Sequence, residues 1–299
     1  VSQPHGSLVA GPTFGLPEEL GGVRNWDYRY TWIRDASFTI YALMRLGYTE
    51  EARAFNGWIE DRCRELHPDG SLQIMYGIDG RHDLPEMVLP HLRGYRGSAP
   101  VRIGNGAATH LQLDIYGELM DSVYLYDKWG EPISHDLWMN VVRLIEWVCD
   151  HWHLADEGIW EVRGGRQEFL YSRVMCWVAI DRAVRMARKR SFPAPLAKWI
   201  DVRDKIYNEV FTEFWNQEKQ AFVQHKGSST MDAACLLIPL VKFISPTDPM
   251  WLSTLKAVEK ELVEDSLVHR YKIGNAAPDG LPGQEGTFSM CTFWYAECL

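Results

Sequence analysis

The chain has no Cys-x-x-Cys pair, no apolar run near membrane-spanning length, and no broad basic block. Each absence removes a class of protein. The six cysteines, Cys63, Cys149, Cys176, Cys235, Cys291 and Cys298, mostly fall within apolar helical runs. The sequence therefore predicts free buried thiols and no zinc site, with a reducing, cytoplasmic location as the matching expectation. Its longest apolar stretches fall well short of the roughly 20 residues a spanning helix needs, and Val1 is expected to open no signal peptide. Against 31 basic residues stand 40 acidic ones, a formal charge of -9 that has the wrong sign for a nucleic-acid footprint. The richest basic stretch, Arg185-Met186-Ala187-Arg188-Lys189-Arg190, reads as a solvated helix C-terminus. Neither nucleic acid nor a membrane is an expected partner. No ligand set for a metal and no cofactor motif is visible.

Strand signals are also scarce. The best is Leu72-Gln73-Ile74-Met75-Tyr76-Gly77, inside a Pro/Gly-rich excursion over 67–105. So long an excursion inside a compact domain commonly carries substrate contacts.

What the chain has in excess is aromatic residues. Thirteen Trp and thirteen Tyr exceed what a core requires, and many sit in Gly-rich loops beside carboxylates and arginines. That combination suits a polyhydroxylated ring, which offers an apolar face and hydroxyl edges. Sugars are the first ligand class to consider.

Hydrophobic periodicity predicts an all-α protein whose helices alternate in kind. From Ala36 to Leu46 apolar residues (Phe38, Ile40, Tyr41, Leu43, Met44) cover most of the circumference, as in a buried helix. The next helix, with Thr49 as N-cap, keeps Ala52, Phe55, Ile59, Cys63 and Leu66 on one stripe. The same alternation pairs 107–125 with 132–152, 169–187 with 195–215, and Met231–Val241 with a stripe of Leu252, Leu255, Val258 and Leu262. Phe288 to Trp294 opens another dense helix. Buried, surface, buried, surface is the pattern of helical hairpins with one ring inside another. A solenoid would repeat at a fixed period, and these segments do not. At 299 residues the chain is long for one domain, but closed helical toroids reach that size.

Each polar cluster precedes a buried helix or lies in its first turns. They are Asn25 to Asp35, Arg102 to Gly106, Trp160 to Gly165, His225 to Ser229, and Arg270-Tyr271 with Gly283-Gln284-Glu285-Gly286. If the buried helices run parallel, all five loops meet at one mouth. Standing alone, Arg34-Asp35 reads as a local pair, Glu285 as a helix N-terminal acid, Glu161 as a solvated loop acid and His110 as a satisfied core histidine. Gathered at one mouth, Arg34, Asp35, Glu161, Arg270 and Glu285 would form a paired cluster rimmed by Trp26, Tyr28, Trp32 and Trp160. Within it Glu161, set against the Trp160 indole, is the candidate general acid, because apolar surroundings keep a carboxyl protonated.

At these residues the sequence resembles glycoside hydrolase family 15, the glucoamylase and trehalase family of inverting α-glucosidases. The matching stretches are Leu16 to Tyr48, Gly158 to Arg163, Tyr171 to Arg182 and Asp279 to Leu299, with Tyr30 to Asp35 and Trp160-Glu161 the most specific. The resemblance implies an (α/α)6 toroid, no cofactor, and an α-glucoside, oligosaccharide or trehalose as substrate. It makes Glu161 the general acid and assigns Arg34, Asp35 and Arg270 to the hydroxyls of the terminal glucose. Tyr28, Trp32 and Trp160 become pocket walls.

Two departures qualify the resemblance. Where many glucoamylases carry a second Glu contacting the leaving sugar, Val162 stands here, followed by Arg163, which is nearer the trehalase-like form. The family's general-base motif, Ser-Glu-Glu or Ser-Glu-Gln, does not occur. The expectation is thus a single catalytic-type domain over 1–299 lacking the last helices, the base and the N-terminal β-sandwich of bacterial relatives, with Arg163 and Glu285 counted as substrate-binding; Glu285 is the only in-chain substitute for a second carboxylate at the mouth, but it matches a substrate-side position and not the base. A non-catalytic sugar-binding or regulatory toroid is the alternative. A lyase or epimerase would instead depend on His110, His225 or Tyr171.

Overall fold

Burial separates the helices into two kinds in the computed structural model, which describes residues 1–13, 16–272, 279–280 and 285–299. Helix α5 (Leu170–Arg190) buries 17 of its 21 residues, so it has neighbours on every side. Helix α6 (Leu196–Glu213) buries only the stripe Trp199, Val202, Ile206 and Val210, so it lies outside. The same contrast distinguishes α3 (Asp114–Trp129) from α4 (His135–His151). Among the described residues, α1 (Ile33–Arg45) packs on α2 (Thr49–Arg64) and α3, α3 packs on α5, and α5 packs on α4 and α6. The inner succession continues through a 3-10 turn at Ala233–Leu236 into α7 (Leu237–Leu240). This segment packs against both α8 (Pro249–Leu262) and α9 (Ser289–Cys298). Phe38 of α1 meets Trp294 of α9 with ring centroids 5.7 Å apart, which brings these two helices together.

The strands are two-residue antiparallel pairs that tie loops together. Strand β1 (Thr31–Trp32) pairs with β2 (Met75–Tyr76), and β3 (Met87–Val88) with β4 (Arg102–Ile103). Strand β5 (Trp215–Asn216) pairs with β6 (Ala221–Phe222), and β7 (Val263–Glu264) with β8 (Leu267–Val268). The strand signal around Ile74 is therefore real, and its partner is the segment that leads into α1.

Several helix expectations need correction. Helix α3 begins at Asp114 and not near 107, because carboxylates from the 156–157 loop capture the preceding N–H groups. Glu157 Oε2 accepts from Leu111 N at 2.8 Å and Asp156 Oδ2 from Leu113 N at 2.8 Å. Met231–Val241 is a 3-10 turn followed by four α-helical residues, since Pro239 has no N–H for a continuing α-helix. Thr49 is the first helical residue; Tyr48 occupies the cap and makes no side-chain cap bond. Helix α1 buries one face (Ile33, Arg34, Ala36, Ser37, Ile40), while α9 buries Cys291 and Trp294 and leaves Phe293 71% exposed. All six cysteines are free, and five are buried. Among the described residues no helix is long and apolar enough to cross a membrane.

Gly117 sets the approach of α3 to α5. A Cβ there would meet the Met175 carbonyl oxygen at 2.3 Å. Replacing a mid-helix Gly with Ala ordinarily gains roughly 0.5–1 kcal/mol, whereas forcing atoms into a packed core costs about 1–3 kcal/mol. The clash is with backbone, so the second effect should win. Gly117→Ala is expected to lower the urea midpoint, with a net loss of about 1–2 kcal/mol; an unchanged or raised midpoint would show that the helices can separate freely.

Candidate active site

The β1–β2 pairing fixes the start of α1, and Ile33 N extends it by donating to Ile74 O at 3.0 Å. Trp32 is thereby held at 3% exposure, and its indole Nε1 donates to Glu161 Oε1 at 2.6 Å. Two residues on, Arg34 is buried under the same carboxylate. Its Nη2 lies 3.3 Å from Glu161 Oε1 and 3.2 Å from Asp35 Oδ2. Its Nη1 donates to Ile159 O at 2.8 Å and Gln112 Oε1 at 3.2 Å, with Asp114 Oδ2 3.9 Å away. Burial alone would lower the Arg34 pKa, but Asp35, Glu161 and Asp114 more than offset it and raise it above the ordinary value. The guanidinium stays charged.

Glu161 has φ +57°, in the left-handed region, and its N–H donates to Gly158 O at 3.2 Å. A non-glycine residue there carries about 1–3 kcal/mol of strain, which persists when the surroundings fix it and clusters at functional sites. The tight turn also depends on Gly158, φ +68°, where a Cβ would lie 2.7 Å from the Phe169 ring. The indole that touches the acid is not its neighbour in sequence. Trp160 instead turns its Nε1 to Asp232 Oδ1 at 2.9 Å, and its ring lies under the Arg270 guanidinium at 5.3 Å. Glu161 consequently sits among an indole N–H and a guanidinium, not in a purely apolar niche.

A second ion-pair system faces the cavity. Arg24 pairs with Asp279 at 2.8 Å and with Glu285 at 3.4 Å, and Tyr271 donates its hydroxyl to Asp279 at 3.0 Å. Arg270 Nε donates to Glu285 Oε2 at 3.1 Å, and Arg270 Nη2 also contacts Oε1. With both oxygens engaged and the side chain only 5% exposed, Glu285 holds Arg270 in place and is poorly suited to activate water. Gly283 and Gln284 lie outside the described residues.

These loops line one cavity of about 420 Å³, within the roughly 300–1,000 Å³ usual for small-ligand sites. It contains every sequence-predicted site residue: Tyr28, Trp32, Arg34, Asp35, Trp160, Glu161, Arg163, Arg270 and Glu285. Burial pushes the Tyr28 hydroxyl up to about 12, so it remains a proton-bearing donor. The 225–229 loop does not reach the cavity; His225 stacks edge-on against Phe169 and bonds the Lys226 carbonyl. Tyr171 lies below the site, its hydroxyl on Glu118. His110 is neither helical nor satisfied. It lines the cavity, and its buried Nδ1 has no hydrogen-bond partner among the described residues. Among those residues no group of His, Cys, Asp and Glu is placed to hold a metal ion.

Reasoning from sequence missed the supporting acids. Asp232 accepts from Trp160, from Gln224 at 3.0 Å and from Ala234 N at 2.7 Å. Asp114 and Asp156 are completely buried. Burial pushes Asp114 up to about 6 and Asp156 up to about 7, against partial opposition from Arg34 and from Leu113 N respectively. The one available signal was their position, an acid amid apolar residues at the start of α3 and an acid ahead of Glu157-Gly158.

Between its unfolded value of 3.8 and its folded value of about 7, Asp156 holds a proton only in the folded chain. Stability must then fall as pH rises through that interval. Asp156→Asn keeps an oxygen for Leu113 N and for Ser172 Oγ, which donates at 2.8 Å. Relative to the variant, the parent should lose up to about 4 kcal/mol of stability from pH 4 to pH 7, read by urea unfolding. Parallel pH–stability curves would contradict this.

The geometry agrees with what the chain is similar to. Residues 1–299 match the family described as glycosyl hydrolases family 15. A trehalase of Mycobacterium tuberculosis is 42% identical over 99% of this chain and 43% of its own length. A trehalase of Thermoplasma acidophilum is 41% identical over 99% of this chain and 50% of its own length. The chain thus spans half or less of these curated relatives. Among solved structures, a glycosidase variant in complex with glucose superposes with a TM-score of 0.73 at 19% identity, over 99% of this chain and 73% of that one. A glucoamylase from Saccharomycopsis fibuligera gives 0.67 at 15% identity, over 98% and 66%. At these identities the structures establish the fold, a mostly helical glucoamylase-like (α/α)6 toroid with no closed sheet among the described residues. Aligned over its whole length, the chain belongs to glycosyl hydrolases family 15.

Proposed function

We propose that this cavity hydrolyses an α-glucoside, trehalose foremost, with Glu161 as general acid. The observation that carries the reading is the fixing of Glu161 by Trp32 Nε1 and Arg34 on one oxygen, in a strained turn facing an aromatic-lined cavity. Among the described residues its other oxygen, Oε2, has no protein partner and is free to meet a glycosidic oxygen. The trehalases that match nearly all of this chain point to trehalose within the family's substrates.

In this reading Arg34 and Asp35 hold the hydroxyls of the terminal glucose, Tyr28 and Trp160 flank its ring, and Arg270 contacts its far edge. Glu161 passes its proton to the glycosidic oxygen as the bond breaks through an oxocarbenium-like state. Inversion requires a second carboxylate on the opposite face, roughly 6.5–9.5 Å from the first, to activate water. Neither Asp35, paired with Arg34, nor Glu285, clasped by two arginines, is assigned that role.

Two measurements test the reading in the full product of the gene. Glu161→Gln keeps an acceptor for Trp32 but has no proton to give. It should bind trehalose within a few-fold of the parent by calorimetry and lose about 100- to 10,000-fold in turnover. Turnover near the parent's would end the assignment. Proton NMR during trehalose hydrolysis should show β-glucose and α-glucose appearing in equal amounts before mutarotation, and an initial product of α-glucose alone would exclude inversion.

A further inference from the structure

From Ile159 to Arg163 each residue is held by a contact of its own. Ile159 O accepts from Arg34 Nη1 at 2.8 Å, and the Glu161 carboxylate takes Trp32 and Arg34 on one oxygen. Val162 N donates to Glu157 O at 3.3 Å, and Arg163 N donates to Asp279 O at 2.7 Å. Trp160 is held by its side chain, whose Nε1 donates to Asp232 Oδ1 at 2.9 Å across 72 residues of chain.

Asp232 is 4% exposed and stands at the N-cap of the 3-10 turn Ala233–Leu236. Its Oδ1 accepts from Ala234 N as well as from Trp160, and its Oδ2 accepts from Gln224 Nε2. All three partners are donors, as an ionised carboxylate, which only accepts, requires. The same segment reaches Arg270, because Ala233 N donates to Arg270 O at 2.8 Å. Around the indole, Phe288 packs edge-on at 6.0 Å and Trp294 lies at 6.2 Å.

The residue that follows Trp160 is the left-handed Glu161, at φ +57°. A side-chain-bearing residue stays in that region only while its surroundings over-determine it. On one side the restraint is the hold of Trp32 and Arg34 on the carboxylate. On the other it is the hold of Asp232 on the indole. Released from Asp232, the half-buried indole N–H would need another acceptor, and Trp160 lines the cavity, where water or substrate offers one. Turning the indole that way would move the backbone that leads into Glu161.

We propose that Asp232 is a positioning residue: by anchoring the Trp160 indole it keeps the Glu161 turn in its left-handed form and the acid aligned with the bond to be broken. This rests on Glu161 being the general acid. Asp232 touches no substrate in this role and moves no proton. Its effect is on alignment, where an error of about 1 Å costs on the order of 100-fold in rate.

The test separates the anchor from the helix cap, in the full gene product with trehalose as substrate. Asp232→Ser keeps a capping oxygen for Ala234 N but ends one bond short of Oδ1 and releases Trp160. It should lower kcat by about 10- to 100-fold and move KM by no more than about 3-fold. Asp232→Asn keeps Oδ1 for the indole, and its kcat should stay within about 3-fold of the parent's. Trp160→Phe keeps a ring but has no N–H. In that background Asp232→Ser should change kcat by less than about 3-fold, because the contact is already gone. Three results would each overturn the proposal: an Asp232→Ser kcat near the parent's, an Asp232→Asn variant as slow as Asp232→Ser, or an equal fall from Asp232→Ser with and without the indole N–H. If urea unfolding shows that Asp232→Ser does not fold, Trp160→Phe decides alone. A kcat lowered about 10-fold at near-constant KM then supports the anchor, and a kcat near the parent's overturns it. The reading of Glu161 fails separately, through an active Glu161→Gln.

Discussion

One buried guanidinium answers three carboxylates in this fold, and the site depends on that imbalance. Arg34 is 9% exposed and has Asp35, Glu161 and Asp114 within 4 Å. A buried charge persists only when paired and hydrogen-bonded, and Arg34 meets the requirement with two further acceptors, Ile159 O and Gln112 Oε1. The partners come from four parts of the chain: the start of α1, the segment ahead of α3, the first turn of α3, and the 158–165 loop. A Lys would offer one point of charge where the planar fork reaches all of them. The placement of Glu161 and the cohesion of the loops are therefore coupled here, since one cation orders the acid and joins the loops.

The acids behind Arg34 explain how a single cation suffices. Glu118 takes the Tyr171 hydroxyl, and burial lifts it well above a usual carboxyl. Asp156 and Asp114 are lifted for the same reason. Desolvation moves these groups towards their neutral forms, so the space between α3 and α5 carries less negative charge than its composition suggests.

The parts of this arrangement legible from sequence are those set by local pattern. Alternating burial exposed the inner and outer helices, and Arg34-Asp35 and Trp160-Glu161 stood out because each motif is contiguous. Pairings made across the ring were hidden. Trp32 and Glu161 are 129 residues apart, so the indole in contact with the acid could not be told from the indole adjacent to it. Asp232 was hidden for the same reason, since only folding shows that it restrains Trp160. The starts of α3 and of the 233–240 segment were misplaced because apolar spacing registers neither a carboxylate arriving from another loop nor the missing N–H of Pro239.

Glu161 and Glu285 show why two glutamates facing arginines in one cavity need not share a role. At Glu285, Arg24 and Arg270 engage both oxygens, and the side chain is 5% exposed; a substrate would have to break an ion pair to use it. At Glu161 the contacts from Trp32 and Arg34 converge on Oε1, and the side chain keeps 21% exposure. One carboxylate is spent on holding structure, and the other is held so that half of it stays available. The left-handed backbone at Glu161 needs the same support, because an unstrained loop would relax away from such a turn. The rigidity has to come from elsewhere, and in this chain it comes from the indole, the buried arginine and the ties that join neighbouring loops across the mouth.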